Sequence, residues 1–171
     1  NSNELNQKIN FLKYPSLEAQ ISERSDDIAY NNHDIQDGIN AKLFNLNDIL
    51  EINFFKNIYK SYNKKIKNDI LIYQIIRDSI NFMVKDLISN TLSNIKKNKI
   101  KNLQSIYKLD ENLVSFSEKT YEILEEIRYF LRIKMYSNNN VLSKNEKGKK
   151  IIKKLFSIIN TNPKKFLNKE Q

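Results

Sequence analysis

Asp26, Tyr30 and Asp34 stand four residues apart in a chain of 171. On a helix that spacing stacks two carboxylates and a phenol along two turns of one side. Glu23, His33 and Asp37 join them inside an arc of about 100° when each residue advances by 100°. Carboxylates grouped in this way can ligate a cation or hold a polar substrate. His33 has a near-neutral reference pKa and could touch a substrate or a ligand, although a hydrogen-bonded structural histidine is the plainer reading. The whole face can also simply be wet, because each like-charge neighbour on a solvated helix costs only about 0.2–0.5 kcal/mol. Lining a cleft is different: two carboxylates about 6 Å apart repel by roughly 3 kcal/mol at an effective dielectric of 20, and a cation or polar ligand becomes necessary. Residue pattern alone leaves both readings open.

The element that must position these residues is a helix from about 17 to 38. Leu17, Ile21, Ile28, Ile35 and Ile39 fall within about 40° of one another, nearly opposite the acids, and make a narrow apolar stripe. Pro15 holds Tyr14 extended and can open the helix, and Gly38 permits a bend or cap at its end.

The remainder reads as further helices. Two glycines and two prolines leave little turn chemistry for many short strands, and 40% hydrophobic residues suffice for one core. A second helix is predicted over 46–62, with Phe54, Phe55, Ile58, Tyr59 and Tyr62 on an aromatic, core-facing side. The longest is predicted from 66 to 96, with a seam of Ile66, Ile70, Tyr73, Ile76, Ile80, Met83, Leu87 and Thr91. Lysines at 96–101 then form a basic break. Ser115 and Glu118 match a capping box that opens a helix carrying Tyr121, Leu124, Ile127, Leu131 and Met135. Asn138 to Asn140 end it. Ser143 and Glu146 match a second box ahead of Ile151, Ile152, Leu155, Phe156 and Ile159, and Pro163 stops that helix. The fold expected is all-α, a helical bundle over 14–167, preceded by a connecting segment at 1–13 and followed by a short tail at 168–171.

Composition bounds the partners. No apolar run nears 18 residues, so no membrane partner is expected. Zero cysteines exclude disulfides and thiolate metal sites and fit a cytoplasmic protein. The net charge of +9 would attract nucleotides or, through a basic surface, nucleic acid. Arg24, Arg77, Arg128 and Arg132 are the only arginines among 29 basic residues, and the rest are lysines. A guanidinium suits phosphate better than an ammonium does, which makes Arg77 a candidate phosphate or subunit contact, with an intrahelical salt bridge as the simpler alternative.

Seven stretches carry a resemblance. YPSLEAQ at 14–20, DDIAYNNHDIQDG at 26–38, INAKLF at 39–44, IIRDSINFMVKDLI at 75–88, LVSFSEK at 113–119, IRYFLRIKMY at 127–136 and GKKIIKKLF at 148–156 follow one another as in the deoxyguanosine triphosphate triphosphohydrolase family of HD-domain phosphohydrolases. The chain resembles the latter part of that family's fold. The resemblance implies metal-dependent hydrolysis of a deoxynucleoside triphosphate to deoxynucleoside and triphosphate, with Mn²⁺ or Mg²⁺ as cofactor and a homo-oligomeric protein. It also implies roles: Asp26 as the last metal ligand, Tyr30 packed on the deoxyribose, and Asp34 accepting a hydrogen bond from the sugar 3′-hydroxyl. Glu23, His33 and Asp37 could support the ligand from beside it, solvated acids being the plainer reading. The family completes its site with an upstream His and His-Asp pair that this chain lacks, for which His33-Asp34 is no substitute. The chain alone is therefore expected to be inactive. The alternatives are a helical nucleic-acid-binding module and an oligomerising piece without catalysis.

Overall fold

The computed structural model describes residues 14–62 and 66–166, and every regular element among them is helical. The connecting segment at 1–13 and the tail at 168–171 lie outside the described residues. Two compact units meet in sequence between Tyr129 and Phe130, within the last turn of one helix. No shift in composition marks that boundary. No helix among the described residues is long and apolar enough to cross a membrane.

In the first unit α1 (Leu17–Asn40) is capped by Ser16, whose side chain accepts from the Ala19 amide. It packs along α4 (Asn68–Lys97), the longest helix. Ile28 and Ile35 of α1 share the core with Leu71, Ile72, Ile75, Ile76, Met83 and Leu87 of α4. Each such side chain contributes about 1.5–3 kcal/mol on burial. The seam predicted for α4 is correct from Ile76 through Met83 to Leu87. At its start Ile70 and Tyr73 are exposed, while Leu71, Ile72 and Ile75 are buried instead. Adjacent buried pairs there give that end an apolar face too wide for a single three-four series to trace.

The helix predicted over 46–62 is broken. α2 (Leu46–Ile49) is held by a capping box in which Asn45 accepts from Asn47 N at 2.8 Å and Asp48 accepts from Asn45 N at 2.8 Å. α3 (Asn53–Lys60) follows and packs on α4. Leu46, Ile49, Ile52 and Phe55 are all buried. Spaced by three, they would drift about 180° around one continuous helix, so a break is needed to bring all four into one core. Of the aromatics assigned to that core, Phe55 is fully buried and the Tyr62 hydroxyl donates to Asp78, a bond that raises the phenol's pKa.

Gly38 lies where α1 meets the returning chain. Leu43 N donates to Gly38 O at 2.9 Å, Lys42 takes φ 57°, and the Phe44 ring folds under the helix end. A Cβ on Gly38 would sit 2.1 Å from that ring. Gly38→Ala is therefore expected to destabilise by about 1–3 kcal/mol, against the roughly 1 kcal/mol that alanine ordinarily gains within a helix. A denaturant midpoint that stays level or rises would show that Phe44 moves aside without cost.

After the short α5 (Leu103–Tyr107), a non-helical segment leads into α6 (Glu118–Leu131). Three residues of α4, one turn apart, hold it. Asn94 Nδ2 donates to Leu113 O at 3.0 Å, Asn90 Nδ2 to Ser115 O at 2.9 Å and to Phe116 O at 3.0 Å, and Asp86 accepts from Ser117 N at 2.8 Å and Ser117 Oγ at 2.7 Å. The predicted cap moves accordingly. Ser115 Oγ is engaged by Asn90 and Asn94, and Ser117 takes the N-terminal position, accepting from Thr120 N at 3.4 Å.

The second unit contains a π-helical turn (Arg132–Tyr136), α7 (Asn139–Thr161) and α8 (Pro163–Phe166). The second predicted capping box also shifts: Asn138, not Ser143, caps α7, accepting from Asn140 N at 2.9 Å, and Glu146 instead pairs with Lys149 at 2.8 Å. Pro163 begins α8, a first-turn position where its missing N–H costs nothing.

Candidate functional site

The rotation of α1 about its axis decides which side chains look outward. Its buried residues are Gln20, Ile28, Asn31, Asn32, Ile35 and Gly38. Three of these are polar side chains. Gln20 Nε2 donates to Pro15 O at 2.8 Å, and its Oε1 accepts from Leu113 N at 2.9 Å and Val114 N at 3.1 Å. Asn31 Nδ2 donates to Asp27 O at 2.6 Å, and Asn32 Nδ2 to Ile28 O at 2.8 Å. Including them turns the buried face by about 40° from the predicted apolar stripe. Ile21, assigned to that stripe, is consequently 47% exposed.

The six predicted site residues stay together on the opposite side. Glu23, Asp26, Tyr30, His33 and Asp37 are exposed, Tyr30 at 68%, and Asp34, nearest the buried face, is half-buried. Asp26 has no hydrogen-bond or ion-pair partner among the described residues. Its neighbour differs sharply. Asp27 receives Arg24 at 2.7 Å on one oxygen and Arg128 of α6 at 2.7 Å on the other. Burial disfavours the Arg128 charge, and Glu125 and Asp27 more than offset this, lifting the guanidinium above its ordinary pKa. Of two consecutive aspartates, then, one is committed to structure and one is available.

No group of three or more His, Cys, Asp or Glu among the described residues could hold a metal ion. This part of the chain can offer a ligand from α1 but does not by itself assemble a metal centre. A cleft of about 480 Å³ lies elsewhere, between α3, α4 and α6, with Phe54, Ile58, Phe82 and Ile123 along it, and it includes none of the six residues. Arg77 pairs with Asp78 at 3.5 Å at the surface, the intrahelical alternative.

Sequence reading passed over the groups that hold this face in place. Gln20, Asn31 and Asn32 look like surface residues by type. The i, i+4 run Asp86, Asn90, Asn94 was visible in the same way as Asp26, Tyr30, Asp34, and four-residue recurrence of short polar side chains was the signal that could have found it.

Comparison with known proteins shows what the chain as a whole is similar to. Residues 114–171 match a family described as Phosphohydrolase-associated domain. A deoxyguanosinetriphosphate triphosphohydrolase-like protein of Pelagibacter ubique (strain HTCC1062) is 65% identical over 167 residues, which cover 96% of this chain and 45% of that protein. Proteins of the same name from Rickettsia typhi and from Leptospira interrogans are each 38% identical, over 85% and 88% of this chain and 38% and 41% of their own lengths. The chain thus spans a little under half the length of these relatives. It is a homologue of the deoxyguanosinetriphosphate triphosphohydrolase-like proteins over less than half of their length, and its C-terminal third matches the phosphohydrolase-associated domain.

Proposed function

We propose that this chain forms one wall of the active site of a deoxynucleoside triphosphate triphosphohydrolase. The observation that carries the reading is the outward face of α1. Asp26, Tyr30 and Asp34 lie one turn apart on a helix anchored from its other side, in a chain whose relatives are named deoxyguanosinetriphosphate triphosphohydrolase-like. Exposure of the face suits a wall whose opposite side comes from polypeptide matching the rest of those relatives.

In the reaction, a water oxygen bonds to the α-phosphorus and the bond from that phosphorus to the nucleoside 5′-oxygen breaks. Triphosphate departs intact and the 5′-oxygen takes up the proton. The divalent ion, Mn²⁺ or Mg²⁺, needs donors beyond this chain, and Asp26 supplies one. Tyr30 packs its ring against the deoxyribose, leaving no room for a 2′-hydroxyl, and Asp34 accepts from the 3′-hydroxyl. Glu23, His33 and Asp37 border the site. This chain alone is inactive on that account.

The sugar assignment is tested by Tyr30→Ala in the longer protein. The ratio of kcat/KM for a deoxynucleotide over its ribonucleotide is expected to fall by roughly tenfold or more, since the excluded volume is gone. An unchanged ratio would remove Tyr30 from the sugar site.

A further inference from the structure

The first half of α1 is held by polar side chains. Between Leu17 and Ile28 no apolar residue of the helix is buried, and what fixes this stretch is Gln20 on one level and Asp27 on the next. Asp27 Oδ2 accepts from Arg24 Nη1 at 2.7 Å, and its Oδ1 from Arg128 Nη2 at 2.7 Å. The second Nη of Arg128 reaches Glu125 at 2.7 Å, and Arg24 also meets Glu23 at 3.1 Å. Arg128 comes from α6, 101 residues away in sequence. An isolated surface ion pair would hold little, but a partly buried chain of charges with two forks and short distances is the case in which ion pairing fixes geometry.

Asp26 and Asp27 are consecutive, so their side chains leave α1 about 100° apart. Whatever fixes the direction of Asp27 fixes that of Asp26. The two arginines also absorb the charge of Asp27, leaving Asp26 as the outward, unpaired carboxylate at that level.

We infer that Arg128 is a positioning residue for the proposed hydrolase: acting through Asp27, it sets the rotation of α1 that aims Asp26 at the reacting phosphate. The inference rests on the functional reading above, and Arg128 itself touches no reacting atom.

The experiment uses the full-length protein. Arg128→Gln is expected to lower kcat at least about tenfold, with KM changed less, because small misplacements of a catalytic group cost rate out of proportion to their size. Asp27→Asn should lower it comparably, and the double variant should lose no more than the worse single one, since both act through one bridge. Arg128→Lys, which keeps a cation against Asp27 but gives up the guanidinium fork to Glu125, should recover part of the kcat that Arg128→Gln loses. Amide hydrogen exchange without substrate should quicken across residues 22–30 in Arg128→Gln and stay level across residues 80–88 of α4. A kcat within about twofold of wild type for Arg128→Gln overturns the inference and leaves the hydrolase reading intact. Exchange that quickens equally through α4 also overturns it, by making the residue a general stabiliser. A wild-type protein that releases no triphosphate overturns the functional reading and the inference together.

Discussion

Asp26→Ala in the longer protein is expected to reduce release of triphosphate from a deoxynucleoside triphosphate by at least about 10³-fold, the scale of several kcal/mol of transition-state stabilisation. The same variant should leave thermal stability nearly unchanged. Asp26 is exposed and has no partner among the described residues, and surface substitutions of that kind shift folding by less than about 0.5 kcal/mol. Loss of turnover without loss of Tm separates a chemical role from a structural one. Asp27 supplies the contrast. Its carboxylate joins α1 to α6 through Arg128, so replacing it disturbs a packed contact and acts on rate through geometry. If Asp26→Ala turns over as wild type does, the ligand assignment is wrong, whatever the relatives are named.

Gln20→Leu is expected to lower folding stability by about 3–5 kcal/mol, out of the 5–15 kcal/mol typical of a domain. Gln20 is 1% exposed and sits in the first recognisable stretch of the chain. Leucine preserves its bulk but leaves Leu113 N and Val114 N without their acceptor and Pro15 O without its donor. Leu113 N and Val114 N are buried, and each such backbone group stripped of its partner costs about 1–3 kcal/mol. Urea unfolding measures the loss, and amide exchange at Leu113 and Val114 should quicken in step. A drop under about 1 kcal/mol would mean that the segment before α6 finds other partners.

These two residues show where the sequence was legible and where it was not. The outward face of α1 could be read because helical period alone groups Asp26, Tyr30 and Asp34, and packing did not disturb that grouping. The long α4 was legible for the same reason. The inner face of α1 was read by residue type, and type misleads when Gln20, Asn31 and Asn32 are buried by hydrogen bonding to backbone while Ile21 is left outside. The 46–62 helix failed on a different ground. Period assumes one axis, and a core that needs Leu46 and Phe55 together requires two. The first capping box was displaced because a serine matching the local pattern can be claimed by a distant partner, as Ser115 is by Asn90 and Asn94, and the second because α7 starts earlier, at Asn138, leaving Ser143 inside the helix. The link from Asp27 to Arg128 spans 101 residues and leaves no local trace. Recognition of the family came from the order of short stretches along the chain, a kind of information that periodicity does not contain.

The central claim is that α1 faces a deoxynucleotide. An experimental structure of the full-length protein with a non-hydrolysable deoxynucleoside triphosphate tests it most directly. The account predicts the Tyr30 ring against the deoxyribose, the Asp34 carboxylate within hydrogen-bonding distance of the 3′-hydroxyl, and Asp26 beside the α-phosphate. A nucleotide bound at another surface, with Asp26, Tyr30 and Asp34 still facing water, would contradict it.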